Sequence, residues 1–353
     1  MSAKGEFDWP LIGHEKVKEF LQTGVKQRRL AQAYLFYGPE KIGKTTLAKY
    51  LAKTVFCESY REYSKLNNIL SEKVDLAKLP CGVCSECQQF DRGIHSEFYL
   101  VEREINSKIG EKRGNITISQ IRELQSKLNK RSFSNSYKVV ILKEAETLNK
   151  EAANALLKTL EEPTPRTILI LLTVAKEMIL ETIQSRCQVV QFLPVTRNEI
   201  YQYALTRGTN RNVAEEIASL SQGRPTIALG ALERIDVIQE QIIKGAEWLN
   251  LCKSDNQTKL KQAEKMVQTK MSVDGLIKEL TNFSIILRDI LLTRANQLDL
   301  VTFKSLITEL QTALANRVDE DLAGALKRVE QAKIQLKQNI SARLVLENLF
   351  LNI

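Results

Sequence analysis

No stretch of this sequence is apolar for long enough to cross a bilayer. The longest run, TILILLTVA from Thr167 to Ala175, falls well short of the roughly 20 residues a spanning helix needs. The start, MSAKGEFDW, has no apolar core of the kind a secretory leader carries. A cytosolic chain with no membrane contact is therefore expected. Cysteine is scarce: six residues in 353, with no leader, argue against a disulfide framework and for metal or core roles. Also missing are a repeat at a fixed spacing, a block of basic residues, and a basic stripe interleaved with aromatics. The net charge of +9 thus permits contact with nucleic acid or an acidic partner without marking a face for it. Hydrophobic residues at 43% and charged ones at 26% exclude wholesale disorder and a fibrous repeat. A chain of 353 residues is long for one core, and three units are expected.

From Ala31 the chain runs AQAYLFYGPEKIGKTTLAKYLAKTVF, an apolar run, a loop with Gly and Pro, then Leu47, Tyr50, Leu51 and Val55 at helical spacing. That is strand, loop, helix. FYLVE from Phe98 to Glu102, YKVVIL, TILILLT and QVVQF are further strand candidates. ITISQIRELQSKLNK, with Ile121, Leu124 and Leu128 on one face, and EAANALLKTLEE, stopped at Pro163, are helices between them. Strands alternating with helices predict a mostly parallel α/β sheet covered on both faces. After Pro194 only helical periodicity continues, introduced by Thr196 and Glu199 at capping-box spacing. Gly223 and Pro225 punctuate a small helical domain. The expected division is an α/β domain over 1–195, a helical lid over 196–232, and a helical bundle over 233–353.

Two motifs carry chemistry. GPEKIGKT, Gly38 to Thr45, matches the phosphate-loop pattern. Gly38 and Gly43 let backbone N–H groups turn toward a phosphate, Lys44 reaches the β and γ phosphates, and Thr45, followed by Thr46, is placed for Mg²⁺ at a helix N-terminus. CGVCSEC places Cys81, Cys84 and Cys87 at CxxCxxC spacing. One more thiolate would complete a tetrahedral, structural zinc site. Cys57, just after the phosphate-loop helix, is the preferred fourth ligand, and His95 is the other candidate. An iron–sulfur cluster or free thiols are the alternatives to zinc. Cys187 and Cys252 read as small buried apolar residues.

Taken in order, AQAYLFYGPEKIGKTTLA, the cysteine insertion, ITISQIRELQSKLNKRSF, YKVVIL, NALLKTLEEP and Ser185-Arg186-Cys187 resemble the bacterial clamp-loader ATPase family. Its members include the delta-prime and gamma/tau subunits of DNA polymerase III, and NISARLVLENLFL is similar to how the delta-prime branch ends. The resemblance implies an AAA+ module, made of an α/β nucleotide domain and a helical lid, followed by a helical collar. The collar would join a five-membered ring with gamma/tau and delta subunits, which opens the sliding clamp and sets it on primed DNA.

In active members the third strand ends in Asp-Glu, the Asp organising Mg²⁺ and the Glu positioning water. Here Lys143 and Glu144 stand at those positions. Lys143 is expected to bring a second ammonium near Lys44, where two like charges about 4 Å apart repel by about 4 kcal/mol at an effective dielectric of 20. Phosphates, Glu144 or Glu146 are the groups expected to offset it. ATP with Mg²⁺ is then either held statically or not held tightly, and fast hydrolysis is not expected. The alternative has Lys143 reaching solvent and Glu144 taking the metal. By the same resemblance Thr173, or Val174 beside it, is the polar sensor. Thr226 stands where active members carry a phosphate-sensing Arg, with Arg224 nearby, and Arg186 is the finger that enters a neighbour's ATP site. The expected function is a delta-prime-like stator, its own ATPase weak or absent. An active gamma/tau-like ATPase is the alternative, although the chain stops after the collar with no long extension. A zinc DNA-binding protein is a third.

Overall fold

The computed structural model describes residues 7, 9–65, 78–104, 114–130, 137–234, 236–269, 271–315 and 321–353. Part of the polar insert between Cys57 and Cys81, residues 66–77, and the end of the ITISQIRELQSKLNKRSF stretch, residues 131–133, lie outside them. Contacts divide the chain into two units. One holds residues up to Thr196 together with Arg224–Thr226, and the other holds Arg197–Gly223 with Ile227–Ile353.

In the first unit five strands, β1 (Ala33–Tyr37), β2 (Phe98–Val101), β3 (Lys138–Leu142), β4 (Thr167–Thr173) and β5 (Gln188–Gln191), form one sheet in the order β2-β3-β4-β1-β5. Every pairing is parallel. The central strands are almost wholly apolar between their ends because both faces are covered. Tyr34, Phe36, Val139, Ile141, Ile168, Ile170 and Leu172 enter one core, while Ala33, Leu35, Val140, Leu142, Leu169 and Leu171 enter the other. This alternation is the period-two geometry of a strand, and a one-residue slip would exchange the two sets.

Helix Lys44–Phe56 covers the first face with Leu47, Ala48, Leu51, Ala52 and Val55. Helices Ile118–Asn129 and Lys150–Glu161 cover the second, with Ile121, Leu124 and Leu128 from one and Ala152, Leu156 and Leu160 from the other. Burying each large aliphatic side chain stabilises the fold by about 1.5–3 kcal/mol. Asn149 starts the second of these helices by accepting from Ala152 N at 2.8 Å, which satisfies one of the free N–H groups of the first turn. The α/β fold expected from the strand and helix alternation is thus present. Three boundaries move by one residue: β2 ends at Val101, before Glu102; β3 starts at Lys138, after Tyr137; and β5 ends at Gln191, before Phe192.

The second unit is helical among the described residues. Its core gathers around Trp248, Phe283 and Phe350, with ring centroids 4.8 to 6.0 Å apart. Helix Asp236–Lys253 approaches Phe303 at Gly245, where a Cβ would come within 2.8 Å of the Phe303 ring. The closing NISARLVLENLFL stretch forms helix Ala342–Leu351, which buries Val345, Leu346, Leu349 and Phe350. Asp289 is wholly buried and accepts hydrogen bonds from Thr302 N at 3.0 Å and Phe303 N at 2.9 Å. Arg197 donates to Val301 O at 2.9 Å and also to Ser219 and Asp299 O. Glu216 Oε1 accepts from Ser305 N at 2.7 Å. Segment 298–306 is therefore fastened through charged side chains that sequence periodicity places on exposed helix faces. No helix among the described residues is long and apolar enough to cross a membrane.

Candidate functional site

The carboxyl ends of β1, β3 and β4, which are adjacent in the sheet, open onto one cavity of about 500 Å³. This is where open α/β sheets place their ligands. The phosphate loop lines it with Gly43, Lys44, Thr45 and Thr46, β3 contributes Lys143 and Glu144, and β4 contributes Thr173, with Glu146, Val174 and Thr226 nearby.

The loop glycines are sterically required. Gly38 has φ +144°, and a Cβ there would lie 2.2 Å from Phe192 O; Gly43 has φ +103°, and its Cβ would meet Leu11 at 2.5 Å. Both conformations lie where side chains are strongly disfavoured. The Lys44 ammonium donates to Gly38 O and, at 2.7 Å, to Pro39 O, so the loop holds its own lysine. Burial pushes the Lys44 pKa below the usual lysine value, while Glu146 and Glu40 pull it back up. Glu146 Oε2 is buried and has no hydrogen-bond partner among the described residues. The Thr173 hydroxyl, on a side chain 2% exposed, donates to Ala175 O at 3.0 Å.

At the end of β3 the charges are arranged differently from the sequence expectation. Lys143 Nζ lies 3.0 Å from Glu102 Oε2, and Glu144 Oε2 lies 2.5 Å from Arg103 Nε. The cause is register. Val101 pairs with Leu142, so the residues just beyond them, Glu102 and Arg103 on one side and Lys143 and Glu144 on the other, form two successive pairs of opposite charge. Glu102, not Glu144 or Glu146, is therefore the carboxylate paired with the Lys143 ammonium, which corrects the expected partner. Glu144 also has φ +53° and caps the turn Ala145–Thr147. Glu102 and Arg103 were not singled out from sequence, although an acid after FYLV and a base after VVIL carried the signal.

The four cysteines converge. The sulfurs of Cys57, Cys81, Cys84 and Cys87 all lie within 4.8 Å of one another. Thiolates bound to one tetrahedral zinc at about 2.3 Å stand about 3.8 Å apart, so the cluster is of the size needed for a metal ion. Cys57 and Cys87 are fully buried. Cys81 N approaches Cys57 Sγ and Cys84 N approaches Cys81 Sγ, both at 3.4 Å, so backbone donors already point at the sulfurs. A hydrogen bond from Cys87 pulls the Cys57 thiol down to about 4 and pushes that of Cys87 up. His95 lies elsewhere: its ring stacks on Phe56 with centroids 3.8 Å apart, and Nε2 is 3.1 Å from Glu86. Burial raises the Cys187 thiol to about 12, so it is inert as a nucleophile at neutral pH.

Arg186 follows the short helix Glu181–Gln184 and precedes edge strand β5. Its side chain is 37% exposed and pairs with Glu161 at 2.7 Å.

The family described as "DNA polymerase III, delta subunit" matches residues 13–196, a little over half of the chain and all five strands of the sheet. The chain belongs to this family. Subunit delta' of DNA polymerase III from Bacillus subtilis (strain 168) is 25% identical over 95% of this chain and 94% of its own length. Subunit tau from the same organism is 30% identical over 75% of this chain, which spans 44% of that longer relative. A solved structure of a gamma subunit-related protein from Thermotoga maritima is similar at 17% identity and a TM-score of 0.43, covering 95% of this chain and 97% of that one. Membership in the clamp-loader family, with delta' and gamma/tau relatives, agrees with the resemblance carried by NALLKTLEEP and Ser185-Arg186-Cys187.

Proposed function

We propose that this chain is the stator of a clamp loader, a delta'-type subunit that does not turn over ATP efficiently but lends Arg186 to a neighbour that does. The observation carrying the first half is the double charge pair at the end of β3. Magnesium in phosphoryl transfer is held by carboxylates aimed into the site. Here the first position is the Lys143 ammonium, paired with Glu102, and the second, Glu144, is paired with Arg103. With Lys44 turned onto the carbonyls of Gly38 and Pro39, the loop keeps its shape without the groups that drive hydrolysis. The exposed position of Arg186 supports the second half, since a guanidinium that stabilises charge on a neighbour's phosphoryl group must stand at a surface.

The remaining assignments follow from this reading. Gly38, Gly43, Lys44, Thr45 and Thr46 are the nucleotide cradle, with Thr173 its sensor. Cys57, Cys81, Cys84 and Cys87 hold a structural zinc, which would tie the end of helix Lys44–Phe56 to helix Ser85–Asp91. Residues 1–195, 196–232 and 233–353 act as nucleotide domain, lid and collar. The partners are gamma/tau and delta subunits in a five-membered ring, and through it the sliding clamp and primed DNA.

A second reading, an active gamma/tau-like ATPase, has one observation in its favour: the Glu146 oxygen that has no hydrogen-bond partner among the described residues, on the side chain whose charge acts on Lys44, is a carboxylate that a metal ion could use. Steady-state ATP turnover separates the two. The stator reading expects an inert isolated chain and an assembled loader slowed about 10³-fold or more at the affected site by Arg186→Ala. Turnover by the isolated chain that disappears with Lys44→Ala would overturn it in favour of the second reading.

A further inference from the structure

Arg186 is held within its own chain by two elements. Nη2 lies 2.7 Å from Glu161 Oε1, while Nη1 donates to Thr182 O at 2.9 Å and to Ser185 Oγ at 3.5 Å. Glu161 is the last residue of helix Lys150–Glu161, just before the Pro163 that bars its continuation. A carboxylate is poorly placed there, because the C-terminal end of a helix is its negative end, and the guanidinium offsets that. The pair is also easily exchanged. The two side chains are 37% and 49% exposed, and pairs of that kind are weak, bathed in water and sensitive to salt. A cavity of about 300 Å³ borders Arg186 on the side of Thr159 and Pro163.

A carboxylate and a phosphoryl group compete for the same edge of a guanidinium. We propose that Glu161 is a latch, a positioning residue that keeps Arg186 in reserve by occupying its Nη2 edge until a neighbour's nucleotide displaces it. This deepens the stator reading and rests on Arg186 being the finger. The weakness of the pair suits the role, since a stronger bond would withhold the arginine altogether. Thr182 O does not compete in this way; it steadies Nη1 in either state.

The test measures ATP turnover by the assembled loader across nucleotide concentrations, for the native chain, Glu161→Gln, Glu161→Asp, Arg186→Ala and the double variant Glu161→Gln/Arg186→Ala. Glu161→Gln is expected to raise kcat/KM about two- to fivefold, the range an exposed pair can withhold, with kcat at saturating ATP unchanged. The gain should fade at high salt, be absent in Glu161→Asp, and vanish in the double variant. If Arg186→Ala slows the loader while Glu161→Gln leaves kcat/KM unchanged or lower, the latch fails and the finger stands. If Arg186→Ala has no effect, the finger reading itself fails and the latch goes with it. Glu161 is surface-exposed, so an unchanged melting temperature is expected; should the Gln variant misfold, Glu161→Ala gives the same readout.

Discussion

Lys143 and Glu102 face each other at 3.0 Å just beyond the ends of two neighbouring strands. The lysine is thus part of the chemistry at the carboxyl ends of the strands, with a partner supplied by the residue that follows β2. Beside it the Arg103 and Glu144 pair repeats the arrangement with the signs exchanged.

Reversing one charge of this ladder should cost more than reversing both. Lys143→Glu sets two carboxylates against each other and is expected to destabilise the chain by about 1 kcal/mol, and Glu102→Lys/Lys143→Glu to recover most of it. Urea unfolding of the single and double variants measures the coupling. A coupling energy of zero would mean the pair does not form in solution.

Metal content discriminates among the candidate ligands. One zinc per chain is expected on purification. Cys57→Ser should lower the zinc affinity sharply, whereas His95→Ala should keep full occupancy and lose the packing against Phe56 and the contact with Glu86. Elemental analysis of the three proteins, with melting curves before and after chelation, checks this. Zinc lost from the His95 variant and kept by the Cys57 variant would reverse the ligand assignment.

The helical unit should carry a pH signature from Asp289. Burial raises its pKa above the ordinary aspartate value. The native state therefore binds its proton more tightly than the unfolded chain does, and the stabilisation this gives is full at pH below 3.8. It is lost as pH rises through the raised native value. The stability of the native chain relative to Asp289→Asn should accordingly decline as pH climbs through that window. Asp289→Ala, which strands the N–H groups of Thr302 and Phe303, should cost about 2–4 kcal/mol at neutral pH. Unfolding midpoints at a series of pH values measure both, and a flat difference would show that the Asp289 pKa is not raised in the native state.

The five strands and the helices Lys44–Phe56, Ile118–Asn129 and Lys150–Glu161 were legible in the sequence, because burial on both faces demands apolar runs such as TILILLT and a helix covering a sheet repeats its apolar residues at helical spacing, whereas helices Glu58–Lys65, Ser85–Asp91 and Glu181–Gln184 were not read. The phosphate loop was legible because its glycines answer a local steric demand. The cysteine cluster could be read because three of its sulfurs lie within seven residues of chain, Cys81 to Cys87. The charge ladder was hidden: Glu102 and Lys143 meet only through the register of strands 41 positions apart in sequence, and no local pattern specifies that register. The same holds for Arg197, Glu216 and Asp289, whose partners lie across the helical unit. Periodicity assigns charged residues to water, and only tertiary structure shows which ones are fastening a loop. The Arg186 and Glu161 pair was hidden for a third reason, since each belongs to a separately recognisable motif and neither motif announces the other.

The close fit of Gly38 against Phe192 has one more consequence. Phe192 N donates to Tyr37 O at 2.8 Å, so the residue after β5 grips the start of the phosphate loop from both sides of its peptide. Arg186 stands at the opposite end of the same strand. At about 3.3 Å per residue, the four residues of β5 span roughly 13 Å, with Phe192 at the phosphate loop following one end and Cys187, next to Arg186, preceding the other. On the stator reading proposed above, two sites that serve different subunits are joined by one stiff piece of backbone.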